Sequence, residues 1–191
     1  RGSMIVNIGA QSTEISILAD SRVIISRNLP IGGKQFNEAV CEQIRKQNSL
    51  LIGTRTARRL KIALASTDGR IREARMIMGM DSISGLPRKD AVTSQTVNEA
   101  LLPKIRQITA EVSNFLDRVP PQIRSNIEAE GIFLAGGSTR IPGIEQFFAR
   151  QTENRIRLSG YYESCTICGL KELINHETLL KYAFTARKKK K

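Results

Sequence analysis

The sequence predicts an α/β fold, and two observations carry that prediction. Short apolar or alternating runs take turns with stretches of helical periodicity along most of the 191 residues. Glycine-bearing turns also fall at the ends of apolar runs, where a strand hands over to the next element. Ile5–Leu18, reading IVNIGAQSTEISIL, gives a strand, a turn of small residues, and a second strand in which Glu14-Ile15-Ser16-Ile17 alternates polar and apolar. Ala19–Arg22 is a turn, Val23-Ile24-Ile25 begins a returning strand, and Pro30–Gly33 turns again. Phe36, Ala39, Val40 and Ile44 then share one face of a helix running from Gln35 to near Gln47, and Ala57, Leu60 and Leu64 do so over Thr56–Ala65. Ser66–Pro87 is rich in Gly, Asp and Arg, with a weak strand at Ala74–Met78, and predicts an inserted lobe.

The strongest helix follows. Leu101, Ile105, Ile108, Val112, Phe115 and Val119 form a steady stripe, opened by Thr93-Ser94 as a cap and stopped by Pro120-Pro121. Gly131–Ala135 reads as a buried strand feeding the turn Gly136-Gly137, and Pro142–Arg150 as a helix with Ile144, Phe147 and Phe148 facing inward. Ile156-Arg157-Leu158 is a last short strand, and Cys165–Leu173 a last helix.

Composition narrows the function classes. Hydrophobic residues make up 40%, enough for a packed core. No apolar run approaches the roughly 20 residues of a membrane-spanning helix. Arg1-Gly2-Ser3 reads as a cloning remnant rather than the start of a signal peptide. Three cysteines without a framework pattern suit a reducing cytoplasm. The formal charge is +12, and Arg187–Lys191 supplies five of the positive charges. Such an excess favours nucleic acid or an anionic lipid surface, but no aromatic stripe or recognition-helix motif accompanies it. A solvated basic face with a disordered tail is therefore expected, and no specific nucleic-acid partner.

Two glycine turns hold the candidate chemistry. A phosphate approaches backbone N–H groups closely only where no Cβ intrudes, which requires glycine. The first turn offers Gly9, with hydroxyls from Ser12 and Thr13 as further donors, but it has Asn7 where an acid could hold Mg²⁺. The second, Gly136-Gly137-Ser138, is suited to pack against a base or ribose. Taken singly, each also reads as an ordinary hairpin or strand-to-helix turn.

Taken in order, these segments resemble the second half of MreB, the bacterial actin homologue within the superfamily of actin, sugar kinases and heat-shock ATPases. Ile5–Leu18 is similar to the family's second phosphate loop, D-I-G-G-G-T-T-E. Leu29–Val40, LPIGGKQFNEAV, is similar to R-I-G-G-D-x-x-D-E-A, and Ser49–Lys61, SLLIGTRTARRLK, to L-I-G-E-x-T-A-E-x-I-K. Ser84–Leu101 and Pro120–Ile144 resemble later stretches, the latter including the adenosine motif, so the likeness covers Met4 to about Ile174.

The resemblance implies an actin-like ATPase domain with a ribonuclease H-like βββαβα core. Residues 4–36 and 95–180 would form the large subdomain, residues 37–94 an inserted small subdomain, and residues 181–191 the basic tail. It further implies ATP with magnesium as the family's cofactor, bound between this domain and a first domain that this chain lacks, so the isolated domain is not expected to hydrolyse ATP. The implied binding residues are Asn7, Gly9, Ala10, Gln11, Ser12, Thr13, Lys61, Gly136, Gly137 and Ser138, with no catalytic residue and no metal ligand. Implied partners are like subunits in a filament governing cell shape, the missing first domain, and cell-wall machinery at the inner face of the membrane.

Departures from the family pattern weaken that site. Asn7 stands for an acid, Ala10 and Gln11 for glycines, Arg58 and Ala63 for acids near the ribose, and Ser138 for a third glycine, while Thr13, Glu14, Lys61, Gly136 and Gly137 are kept. Ala10 is expected to be strained if it adopts the positive φ of a glycine. A second reading is thus a degenerate actin-like module that binds proteins without turning over ATP. Cys165-Thr166-Ile167-Cys168 has the spacing of a redox pair or half a zinc site, but Cys41 and His176 do not complete one, and buried packing is expected. With a single histidine, no Ser/His/Asp hydrolase arrangement is legible.

Overall fold

A computed structural model describes residues 2–20 and 22–182. The run Arg187–Lys191, expected to form a disordered tail, lies outside the described residues. The architecture is mixed α/β, as the alternation predicts. In chain order the elements are β1 (Gly2–Ile8), β2 (Thr13–Ala19), β3 (Arg22–Leu29), α1 (Gly33–Asn48), β4 (Leu50–Leu51), α2 (Thr54–Leu64), β5 (Ala74–Asp81), β6 (Pro87–Thr93), α3 (Ser94–Leu116), α4 (Pro121–Glu130), β7 (Ile132–Ala135), α5 (Ile144–Thr152), β8 (Ile156–Leu158) and α6 (Cys165–Asn175).

Five strands form one sheet in the order β3-β2-β1-β7-β8. The β1–β2 and β2–β3 pairs are antiparallel hairpins, whereas β1–β7 and β7–β8 are parallel. Parallel pairing needs a long crossover, and the chain between β1 and β7 contains the whole second sheet, β4-β5-β6, drawn from residues 50–93. The alternation in β1 and β2 is what buries this sheet: Met4, Val6, Ile8, Ile15 and Ile17 all lie on the inner face with no exposure. Phe36, Val40 and Ile44 on α1 and Ile105, Ile108 and Val112 on α3 complete the core, with α1 packed against α3 and α2. Helix α3 begins where expected, because the Thr93 hydroxyl accepts from the N–H of Thr96.

Several elements differ from the sequence reading. Strand β1 begins at Gly2 rather than Ile5, with Gly2 and Ser3 paired to Ala19 and Leu18, since the ladder continues as far as its partner strand extends. Pro120-Pro121, read as a stop, also starts α4, with Pro121 in the first turn where its missing N–H is harmless. Strands β4 and β6 carried no legible signal: β4 is two residues long, and β6 buries only Val92. Strand β3 is an open edge whose Val23, Ile24 and Ile25 are all exposed. Its register slips opposite Ile17 and Leu18, leaving Ile24 as the extra residue of a bulge. The buried packing expected of the Cys165–Cys168 segment is not found. No residue of α6 is buried, Cys165 and Cys168 are half-buried, and Ile167, Leu170 and Ile174 face outward because no described element covers that side of the helix.

Thr13 ties the two hairpins to α1. It is fully buried, and its hydroxyl donates to the carbonyl of Ile31 at 2.7 Å, fixing the segment that enters α1 against the start of β2. Thr13→Val keeps the shape and orphans that carbonyl, so urea denaturation is expected to show a loss of about 1–3 kcal/mol, while Thr13→Ser loses about 1 kcal/mol or less.

Candidate functional site

Strands β1 and β7 run parallel with Asn7 beside Ala135. Their carboxyl ends therefore release both glycine turns on the same edge of the sheet, the usual place for a ligand crevice in α/β proteins. A cleft of about 810 Å³ opens there. Of the residues implied by the sequence, Asn7, Gly9, Ala10, Gln11, Lys61, Gly136, Gly137 and Ser138 line it. Ser12 and Thr13 do not, and the Thr13 hydroxyl is already committed to Ile31.

The first turn is closed by the N–H of Gly9 donating to the Ser12 carbonyl at 2.9 Å. It is clamped onto α1 by the N–H of Gly33 to Gly9 O (3.0 Å) and of Lys34 to Ala10 O (2.7 Å). That contact explains Gly32: a Cβ there would lie 2.7 Å from Ser12 N and 2.8 Å from Gly9 O, so only glycine admits the turn. The strain expected at Ala10 is absent, because Ala10 is not among the residues with positive φ and the turn closes through the Gly9–Ser12 hydrogen bond instead.

The second turn depends on Gly136. Its φ is +96°, and a Cβ there would strike the Ile8 carbonyl and sit 2.8 Å from Asn7 Oδ1. The end of β1 and the start of the second turn are thus in van der Waals contact. The turn continues as a 3-10 segment, Gly137–Arg140, in which the Thr139 hydroxyl donates to Gly136 O at 2.7 Å.

Lys61 reaches this floor from α2. Its Nζ donates to the Gly33 carbonyl at 3.2 Å and lies 5.7 Å from the centre of the Phe36 ring. Burial, and next the positive charge of Arg58, lower its pKa to about 8. Among the described residues no carboxylate pairs with it.

The implied set omitted Lys34, Asn37, Arg58, Arg140, Glu163 and Thr166, which also line the cleft. The Arg140 guanidinium grips Glu163 with two bonds, 2.9 and 3.1 Å, and stacks over the Tyr162 ring at 4.3 Å. That grip holds the Glu163 carboxyl below its ordinary range. The side-chain oxygen of Asn37 is buried without a hydrogen-bond partner. These residues lie on five different elements with no shared local motif; the likeness of Leu29–Val40 and of Ser49–Lys61 to family segments pointed toward Lys34, Asn37 and Arg58, and nothing local pointed toward Arg140, Glu163 or Thr166.

A nucleoside polyphosphate fits this donor set. The cleft offers two glycine turns, the cationic side chains of Lys34, Arg58, Lys61 and Arg140, and a volume of about 810 Å³. Among the described residues this side of the cleft offers no free carboxylate to a divalent cation: Glu163 is the single carboxylate in the lining and is held by Arg140. Among the described residues no group of three or more His, Cys, Asp or Glu side chains is placed to hold a metal, so Cys165 and Cys168 complete no zinc site there.

Comparison with known proteins agrees with this geometry. A family model described as MreB/Mbl protein matches residues 1–182. The cell shape-determining protein Mbl of Bacillus subtilis (strain 168) is 31% identical over 170 residues, which cover 88% of this chain and 51% of that protein. The crystal structure of MreB 5 of Spiroplasma citri bound to AMPPNP matches with a TM-score of 0.88 at 26% identity, covering 95% of this chain and 54% of that one. The MamK double helical filament shares the fold, with a TM-score of 0.75 at 19% identity over 91% of this chain and 54% of that one. The chain thus spans about half the length of the proteins it matches, and its fold is that of the actin-like ATPases. By sequence and by fold, this chain belongs to the MreB/Mbl family.

Proposed function

We propose that this chain is the nucleotide-binding second half of an MreB-like cytoskeletal subunit that assembles with like subunits and takes part in determining bacterial cell shape. The observation that carries the reading is the convergence of both glycine turns and Lys61 at the ends of β1 and β7. The relative Mbl, named for determining cell shape, and the AMPPNP-bound MreB 5 support it. The remaining half of such a subunit would close the cleft from the other side. The proposed location is the cytoplasm, against the inner face of the membrane and its cell-wall machinery; no helix among the described residues is long and apolar enough to cross a membrane.

In this cleft the chain's own residues bind and orient. Gly9 and Gly136 shape the two turns, their own N–H groups being held by the Ser12 and Tyr162 carbonyls, and Lys61 supplies charge at the floor. ATP is the family ligand proposed for it. A second reading, an interaction module without ATP turnover, is favoured by one observation: Asn7 brings no charge where the family loop has an acid.

Calorimetric titration of AMPPNP into the protein, with pelleting of assembled material, separates these readings. Saturable binding together with nucleotide-dependent pelleting is expected; assembly that ignores nucleotide, with no heat on titration, selects the second reading. Lys61→Met is expected to weaken AMPPNP binding on the order of tenfold, the loss of one charge-assisted contact.

The pH dependence follows from Lys61. Its pKa in the folded protein, about 8, lies below the ordinary lysine value of 10.5. The ammonium is therefore present below pH 8 and lost as pH rises through it, so AMPPNP affinity is expected to fall up to about tenfold between about pH 7 and pH 9. The other charged groups facing the cleft are Lys34 on α1, Arg58 on α2 and the Arg140–Glu163 pair. Lys61→Met isolates its share, because in that variant the fall over this interval is expected to disappear.

A further inference from the structure

An antiparallel sheet with one wet face commonly turns apolar side chains to the core and charge to the water. The small sheet β4-β5-β6 does the reverse. On the side of buried Leu50 and Val92 it holds its ion pairs: Arg88 meets Asp81 at 3.2 Å and Asp90 at 3.7 Å, and Asn48 of α1 donates to Asp90 at 3.2 Å. The outward side carries Met76, Met78 and Met80, alternate residues of β5 that are 66, 56 and 51% exposed. Register sets Leu51 and Pro87 beside Met80, Lys89 beside Met78, and Ala91 beside Met76. Three of the chain's four methionines thus share one bare face. Ile83 and Leu86, in the turn that joins β5 to β6, are exposed as well. Isolated apolar residues at a surface need no explanation, but a contiguous patch marks a contact surface.

We propose that this methionine face docks an amphipathic helix of a partner protein, with an acidic residue of that helix meeting Lys89. It is independent of what fills the cleft, because none of the residues lining the cleft belongs to β4, β5 or β6.

Shape and charge choose the occupant. An apolar sheet face is covered by a second layer of structure, and a helix is one of its usual forms. Methionine is unbranched and polarisable, so a row of three moulds itself to the uneven surface of a helix. Met76 to Met80 spans about 13 Å at the rise of a strand, the length of about nine helical residues. Lys89 is the single charged residue on this face of the three strands and pairs with no carboxylate among the described residues, so it favours an acid in the partner. A second copy is a poor occupant, because it brings its own Lys89 and a formal charge of +12 to the same place. A lipid surface is poor as well. Faces that enter lipid carry Trp, Phe or Leu beside several Lys and Arg, whereas this one has no aromatic residue and one lysine. A contact confined to one three-stranded face belongs at the small end of protein interfaces, so a dissociation constant of about 10–100 μM is expected.

The test titrates the full chain into a fluorescein-labelled helical peptide of about 18 residues, long enough to hold a helix in water, with Leu at i, i+3, i+4 and i+7 and Glu and Gln elsewhere. A twin peptide carries Lys in place of Glu. Saturable anisotropy with the Glu peptide, about fivefold or more tighter than with the Lys twin, supports the proposal. So does slowed amide hydrogen exchange confined to β5 and β6. No saturable binding of either peptide overturns it, as does protection at β3 or α6 instead. Met76→Gln combined with Met78→Gln leaves the net charge unchanged and is expected to weaken the Glu peptide about tenfold. Lys89→Glu is expected to erase the preference for the Glu peptide; a preference that survives comes from net charge alone and overturns the docking geometry. All three positions are exposed, and Lys89→Glu reads out even if the double methionine variant does not fold. Pelleting with vesicles of equal parts phosphatidylglycerol and phosphatidylcholine that the methionine variant abolishes assigns the face to lipid and overturns the proposal. Self-association that the same variant abolishes assigns it to a second copy and overturns it equally. AMPPNP titration of both variants is expected to match the unmodified chain, because these residues stand outside the cleft; a loss of AMPPNP binding in either one overturns the separation of the two sites.

Discussion

The parallel pairing of β1 with β7, and the contact it enforces between Gly136 and the end of β1, is the constraint on which the remaining architecture depends. Asn7 stands beside Ala135 in the sheet, so the chain leaving each strand enters the same small volume. Only a residue without a side chain passes there, because any Cβ at Gly136 meets the Ile8 carbonyl and Asn7. From that seam the first turn is clamped onto α1 through Gly33 and Lys34, and α1 in turn receives the Lys61 ammonium on its first carbonyl. Sheet, helix and cation are thus locked into one unit before any ligand arrives, which is the preorganisation that makes a charged cleft useful.

The same seam explains why amide and cation substitutions can be tolerated here. An acid at Asn7 would sit at a strand terminus beside Glu14 of β2, its antiparallel neighbour in register. An amide removes a like-charge pairing between directly opposed residues. On α2, the exchange of acids for Arg58 and Ala63 that the family resemblance suggests turns one wall of the cleft from anionic to cationic. These changes point in one electrostatic direction, toward a cavity whose field favours an anion.

Much of this was legible before the fold was known. Alternating Ile15 and Ile17, the stripe from Leu101 to Phe115, and the positions of Gly9 and Gly136 gave the α/β class and both turns, because period and glycine placement are local signals. What escaped was non-local or carried by too few residues. Arg140 and Glu163 are 23 residues apart in sequence and meet only through the crossing of two turns. Strand β6, reading PRKDAVT, is polar along most of its length and is held by its ladder to β5 rather than by its own side chains. Thr13 shows the opposite error: a hydroxyl in a phosphate-loop position reads as a ligand donor, yet full burial beside the Ile31 carbonyl makes it a structural bond. The helix of Cys165 and Cys168 was expected to bury its small residues, but burial is decided by what covers a helix, and periodicity alone does not contain that.

The open edge at β3 has a bearing on how copies of this chain behave in solution. Its backbone is unpaired along one side, and Val23, Ile24 and Ile25 are exposed at consecutive positions along it, a combination that invites another extended chain to add itself. The bulge at Ile24 distorts the ladder locally, and Arg22 and Arg27 bracket the apolar run. A formal charge of +12 then repels every second copy before the edges can meet. That repulsion weakens as dissolved salt shortens its range, to about 8 Å at physiological ionic strength. Colloidal stability in this chain is therefore a property of the medium as much as of the fold, with the surplus of lysine and arginine acting as a kinetic guard on an unfinished sheet.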